Sequence, residues 1–109
     1  MPAMVQVVDN WAFVEGTVEG VQPSDTHADF AVIDLEVERV DADEPFPNLL
    51  PEATGTKLGV AVPNRTIEAL GISPGVRLRC RARKASPFQV FADPTAVTVL
   101  ERRTTDAEP

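Results

Sequence analysis

The sequence predicts an all-β protein: a five-stranded barrel with one short helix between its third and fourth strands. Three observations lead to this prediction. Several segments alternate apolar and polar side chains with a period of two, the repeat of a β-strand with one buried face. The first of them places glycines at alternate inward positions, as a tightly curved barrel strand does. A short segment that Gly71 ends has the apolar spacing of a helix.

The first two strands are predicted over residues 11–21 and 30–40, separated by a polar loop at 22–29. The inner face of the first strand is formed by Val14, Gly16, Val18 and Gly20. Its outer face carries Phe13, Glu15, Thr17 and Glu19. The second strand is expected to bury Ala31, Ile33, Leu35 and Val37. It then exposes a row of acids, Asp34, Glu36 and Glu38.

Residues 41–56 contain Pro45, Pro47 and Pro51 and are predicted to form a long, exposed connection. A third strand follows over residues 57–62. Asn64 is expected to cap a short helix in which Ile67 and Leu70 share one face. Residues 73–75 then supply a turn.

The fourth strand is predicted over residues 76–85. It alternates strictly, with Val76, Leu78, Cys80 and Ala82 inward. The outward positions hold four arginines, Arg77, Arg79, Arg81 and Arg83. The last strand region covers residues 89–92 and 96–100, and Asp93-Pro94 predicts either a bulge or two short strands.

The length of 109 residues predicts a single domain, assigned to residues 10–100, with terminal extensions at 1–9 and 101–109. Cys80 is the only cysteine, so packing rather than disulfides or a tetrathiolate zinc site must hold the framework. The apolar run at residues 4–8 is too short for a signal peptide, and no stretch is long enough to cross a membrane. These features favour a cytoplasmic protein without a membrane partner.

The order of elements resembles the OB-fold, a small, partly open Greek-key barrel, over roughly residues 10–100. A second, local resemblance lies in the stretch 67–76, IEALGISPGV, followed by Lys84-Ala85. It is similar to the LGL-x-PG and KA segments of TOBE domains, which are themselves OB-like. The first resemblance implies a binding fold without specifying a ligand. The second implies small oxyanion binding as a further alternative.

The four arginines allow two interpretations. Residues 65–84 carry six basic side chains and one acid, although the whole chain has a net charge of −7. Arginines about 7 Å apart on one strand suit phosphate tracking. A strip for single-stranded nucleic acid would comprise Arg77, Arg79, Arg81, Arg83 and Lys84, with Phe88 or Phe46 stacking on bases. The other interpretation is intramolecular. In an OB barrel the first strand lies beside the fourth, so Glu15 and Glu19 would neutralise the arginines.

The usual ligand face of the OB-fold uses the second and third strands and the two loops beside them. In this sequence those elements carry mainly acids, which would repel phosphate and attract a basic protein surface. The leading prediction is therefore a module that binds a protein partner through Asp34, Glu36, Glu38 and Phe46, the last within the 41–56 connection. The alternative for the acids is an ordinary solvated surface.

No catalytic site is predicted. His27 lies between Asp25 and Asp29, but no second histidine or cysteine lies nearby to complete a metal site, so a solvated loop histidine is expected. Cys80 faces inward and is expected to be buried rather than nucleophilic. Trp11 and Phe13 are expected to cover an end of the barrel or to mark a partner patch. We therefore expect no cofactor, no metal and no enzymatic activity.

Overall fold

The computed structural model describes residues 10–44, 56–86 and 89–102. In these ranges, five strands and one helix follow in the predicted order. They are β1 (Ala12–Pro23), β2 (Phe30–Ala42), β3 (Lys57–Pro63), α1 (Asn64–Leu70), β4 (Arg77–Ser86) and β5 (Gln89–Glu101). The strands close into a barrel in the order β1-β2-β3-β5-β4. The predicted all-β, five-stranded barrel with a helix between β3 and β4 is confirmed.

Strand β1 is shared between two halves of the sheet. It pairs antiparallel with β2 along its whole length and with β4 from Ala12 to Thr17. The register with β2 shifts next to Gly16 and again before Gly20. A Cβ on Gly16 would lie 2.5 Å from the carbonyl oxygen of Glu36, so only glycine allows this approach of the two backbones. The predicted curvature of β1 therefore has a steric basis.

The barrel interior is built from the predicted inward positions. Every apolar side chain predicted to face inward from β2 and β4 is buried, as are Val14 and Val18 on β1. Val60 and Val62 on β3 and Val90 and Ala92 on β5 complete the wall of the core. Cys80 is fully buried, and burial raises the pKa of its thiol to about 12. A thiol in that state is not a nucleophile near neutral pH.

Helix α1 closes one end of the barrel. Ile67 and Leu70 share the predicted face and pack against the core. Gly71 ends the helix in the left-handed conformation, at φ 63°. The predicted cap is wrong: the N-cap residue is Pro63, and no side chain caps the helix. Asn64 begins the helix instead, and its amide donates to the carbonyl of Ala28, which ties α1 to the 24–29 loop.

Several element boundaries differ from the predictions. β1 and β2 each end two residues later than predicted. The antiparallel pairing continues there: Gln22 and Pro23 pair with the start of β2, and Asp41 and Ala42 pair with the start of β1. β5 is one strand, and the register irregularity opposite Arg81 marks the predicted bulge at Asp93-Pro94. Phe46, Phe88, most of the 41–56 connection and most of both terminal extensions lie outside the described residues.

Candidate functional site

The four outward arginines of β4, here called the arginine ladder, lie beside carboxylates from four other parts of the chain. Arg77 binds Glu15 at 3.4 Å and Glu38 at 2.8 Å. Arg79 binds the same Glu15 at 2.8 Å and also Asp41 at 3.1 Å. Pairing of β1 with β4 sets Glu15 directly opposite Arg79, so the sheet register itself places this carboxylate between two arginines. The structure shows the intramolecular pairing that one interpretation of the sequence predicts.

Arg81 continues the same pattern further along β4. Its guanidinium contacts Asp43 at 2.6 Å and Asp93 at 3.4 Å. Asp43 comes from the residues just after β2, and Asp93 comes from the bulge of β5. Each of these arginines except Arg83 therefore has two or more carboxylate partners, and Arg77 and Arg81 have them on both sides of β4.

Two aromatic rings around the start of β1 stack on the arginines of the ladder. The guanidinium carbon of Arg79 lies 4.7 Å from the ring centre of Phe13, and that of Arg81 lies 4.0 Å from the ring centre of Trp11. Arg83 is 5.9 Å from the same Trp11 ring. Guanidinium stacking on aromatic faces is favourable by about 0.5–2 kcal/mol. Trp11 and Phe13 therefore stack on the ladder, a role that neither predicted alternative described.

The arginines of the ladder lower the pKa values of two carboxyls that they bind. Hydrogen bonds from Arg77, and then from Thr17, lower the pKa of Glu38. Hydrogen bonds from Arg79 and Arg39 lower the pKa of Asp41. Both shifts favour the ionised carboxylate, so the pairs persist at neutral pH. Glu19, the other predicted neighbour of the arginines, binds Lys57 at 2.8 Å instead.

Lys84 does not belong to the ladder. It continues the inward positions of β4, two residues beyond Ala82, and lies on the opposite side of the strand from Arg83. Its backbone is held by Asn10, whose buried side chain donates to the Lys84 carbonyl at 3.0 Å and accepts from the Lys84 amide at 2.8 Å. The predicted grouping of Lys84 with the outward arginines is therefore not what the structure shows.

The outward acids of β1 and β2 form a second charged region, here called the acidic face: Glu19, Asp34, Glu36 and Glu38. Glu36 is exposed and Asp34 is half-buried. Glu38 is shared with the ladder through Arg77, and Thr17 also donates to it at 2.8 Å. Among the described residues, no basic side chain lies within ion-pair distance of the carboxylates of Asp34 or Glu36.

Asp34 lies in a row with two glycines. Gly20 on β1 and Gly59 on β3 are its register partners on either side. A Cβ on either glycine would lie within 4 Å of an Asp34 carboxylate oxygen. The two neighbouring positions therefore provide no side chain to cover the carboxylate. The amide of Gln22 donates to it at 2.9 Å.

A groove of about 450 Å³ adjoins the acidic face on the side of β3. Its floor is made by Val32, Gly59 and Ala61. One wall is the 24–29 loop, and the other is the β4–β5 hairpin with Lys84, Gln89 and Phe91. Gln89 joins the two walls by donating to the hydroxyl of Thr26 at 3.3 Å. Lys57 stands at one end.

His27 has a structural neighbourhood that the sequence does not reveal. It is exposed, as predicted, but its ring meets Phe30 and Phe91 edge to face, with centroids 5.8 and 5.6 Å apart. Phe30 and Phe91 contact each other in the same way at 5.8 Å. Among the described residues, no group of three His, Cys, Asp or Glu side chains is placed to hold a metal ion.

Two features of this surface escaped the sequence reasoning. The ligand face was expected to carry mainly acids, but Lys84 joins Lys57 in the groove, beside Asp25. Alternation on β4 assigns Lys84 to the opposite face from the arginines, but it does not place Lys84 in the groove, which depends on how the β4–β5 hairpin meets β3. Asn10 precedes the first strand and has no periodic context, so its buried pairing with Lys84 had no sequence signal.

No protein-family model matches this sequence, and no curated protein is significantly similar to it. Within the described ranges, no helix has the length and apolar character needed to span a bilayer.

Proposed function

We propose that this protein is a non-enzymatic binding module whose acidic face binds a basic segment of a protein partner. One observation carries the proposal. Three of the four arginines of the basic strand hold carboxylates of the same chain, whereas Asp34 and Glu36 have no basic partner within ion-pair distance in the described structure. Charge that folding does not pair remains available for recognition.

The shape of the acidic face supports the proposal. The glycines on either side of Asp34 leave a low surface at the centre of three paired strands. An extended basic segment lying across this row would reach Asp34 between the two glycines and would meet Glu36 beside its register partners Thr17 and Lys57. Such contacts contribute mainly to the rate of encounter and to selectivity.

The barrel order is compatible with the OB-like fold that the sequence resembles, and proteins of that architecture commonly bind their ligands on the β2–β3 surface. That likeness supports the location of the site. Single-stranded nucleic acid bound to Arg77–Lys84 is the less favoured alternative, because three of the four arginines already hold carboxylates. Nothing specific to the structure favours the TOBE-like oxyanion alternative, and the cytoplasmic location stays a prediction.

The test is a nuclear magnetic resonance titration of the ¹⁵N-labelled chain with a short lysine-rich peptide at about 50 mM ionic strength, where screening is weak. We expect the largest amide shifts in residues 19–22 and 33–38. The double change Asp34→Asn, Glu36→Gln should weaken binding about tenfold, since each lost charge contact contributes up to about 1 kcal/mol.

The matched control is Glu44→Gln, Glu68→Gln, which removes the same charge from exposed positions elsewhere. It should change the affinity less than about twofold. Equal weakening by both double variants would reduce the effect to net charge and would contradict the proposal, as would the absence of any peptide-induced shift.

A further inference from the structure

The groove beside β3 combines a flat floor, aromatic edges and a positive charge, and it adjoins the acidic face at Lys57 and Gly59. Its volume of about 450 Å³ is in the range of small-molecule sites. The outward positions of β3 are small here, with Gly59 and Ala61 next to Val32 of β2. Such a floor admits a planar group lying flat against the sheet.

Aromatic side chains border this floor. Phe91 lies opposite Ala61 in the only β3–β5 pairing among the described residues, which places its ring at the groove wall. The His27 ring stands almost perpendicular to it, at 88°. Rings that present edges and faces in this way favour a second aromatic system as ligand, by about 0.5–1.5 kcal/mol for each pair.

The walls of the groove are ordered in advance. The Ser24 hydroxyl accepts from the backbone amides of Thr26 and His27 at 3.2 and 3.1 Å, which fixes the turn of the 24–29 loop. The Thr26 hydroxyl in turn meets Nδ1 of His27 at 2.9 Å and receives the Gln89 amide. A pre-formed wall lowers the entropic cost of holding a ligand.

Two lysines give the groove its charge. The Lys57 ammonium forms an ion pair with the Glu19 carboxylate at 2.8 Å. Lys84 lines the groove, and among the described residues no carboxylate lies within ion-pair distance of its ammonium group. Its backbone is clamped by Asn10, so the base of the side chain is fixed in position. Asp25 is the acid that lines the same groove.

From these observations we propose that the groove is a binding site for a planar aromatic anion, with the ring on the Gly59–Ala61 floor beside Phe91 and the anionic group on Lys84. The anionic group is a carboxylate or a phosphate, since an ammonium group pairs with either. The site does not depend on the partner proposed for the acidic face.

The experiment compares 2-naphthoate with 2-naphthamide, an uncharged analogue of nearly the same shape, by amide shift titration of the intact protein. We expect 2-naphthoate to shift residues 24–27, 57–61 and 89–91 and to bind at least about fivefold more tightly than the amide, because the amide lacks the charge-assisted contact.

1-Naphthyl phosphate distinguishes the two anionic groups. Tighter binding than 2-naphthoate assigns a phosphate ligand, and weaker binding assigns a carboxylate ligand. Acetate and inorganic phosphate, which lack the ring, should leave these residues unshifted.

Lys84→Gln should abolish the preference, so that 2-naphthoate and 2-naphthamide bind with about equal affinity. Lys84→Arg should retain the preference for 2-naphthoate. Arg65→Gln removes one positive charge on the exposed surface of α1 and should leave the preference intact. An unchanged amide spectrum outside the groove shows that each variant is folded. The proposal is overturned if 2-naphthoate fails to shift the groove, if naphthamide binds equally well to the unaltered protein, or if Lys84→Gln leaves the preference intact.

Discussion

The arginine ladder of β4 and the acidic face of β1 and β2 lie on neighbouring strands, yet their charges are paired to different extents in the folded chain. Each of Arg77, Arg79 and Arg81 meets at least two carboxylates, and the ladder is also covered by Trp11 and Phe13. The acidic face has glycines where covering side chains would stand. A run of like charge in a sequence is therefore available for recognition only where the neighbouring strands leave it unpaired.

The distribution of charge along the chain gave a first indication of this difference. Residues 1–63 hold 12 acids and 2 bases, for a charge of −10, and residues 64–109 hold 5 acids and 8 bases, for +3. Pairing of β4 with β1 brings the positive part of the second segment against the negative first segment. Glu38 and Asp41 of β2 also reach the arginines, whereas Asp34 and Glu36 of the same strand lie outside ion-pair distance of every arginine that the structure describes.

The largest expected effect concerns stability, and it contrasts one acid from each region. Glu15 is only 14% exposed and bridges Arg77 and Arg79. Glu15→Gln removes the carboxylate that the half-buried guanidiniums of Arg77 and Arg79 share. We expect it to lower the free energy of unfolding by about 1.5 kcal/mol. Glu36→Gln on the acidic face should change it by less than about 0.5 kcal/mol.

Urea denaturation of the two variants at neutral pH measures this contrast. Equal losses would mean that the ladder pairs contribute no more to stability than an exposed carboxylate does, and the comparison between the two regions would fail.

A smaller effect is expected from pH. The pKa of Glu38 lies below its ordinary value of 4.5, because Arg77 and Thr17 donate hydrogen bonds to the carboxylate. The pKa of Asp41 lies below its ordinary value of 3.8, because Arg79 and Arg39 donate hydrogen bonds to it. A carboxyl whose pKa is lowered by folding binds protons more weakly in the folded chain. Its contribution to stability is therefore complete above the ordinary pKa and is lost as pH falls through the lowered value.

Unfolding measured between about pH 7 and pH 3 should therefore show a decline that begins near pH 4.5. Asp41→Asn should make this decline shallower. A decline of equal slope in Asp41→Asn would exclude Asp41 as one of its sources, and a rise in stability on acidification would contradict the account of the ladder.

The sequence predicted the barrel well because its information is local and periodic. Alternation alone placed Ile33, Leu35 and Leu78 in the core, and the outward glutamate at position 15 followed from the same alternation. The prediction for Asn64 failed because the N-cap position falls on the preceding Pro63, and the asparagine amide donates to a loop carbonyl, a long-range contact that local rules do not contain.

The candidate sites were less predictable for the same reason. Asp41, Asp43 and Asp93 were assigned to a connection and a bulge, and only the closed barrel brings them to the arginines. The groove depends on the 24–29 loop meeting the β4–β5 hairpin, through Thr26 and Gln89, which are 63 residues apart. No pattern along the chain encodes such a meeting.

The most direct test of the account is a fluorescence titration of a labelled single-stranded oligonucleotide with the protein at low and moderate salt, since a free arginine ladder would bind phosphate. We expect no binding through the ladder even at low salt, because the guanidiniums of Arg77, Arg79 and Arg81 are held by Glu15, Glu38, Asp41, Asp43 and Asp93. Micromolar or tighter binding that the double change Arg79→Glu, Arg81→Glu abolishes would contradict it and would identify the ladder as a nucleic-acid surface.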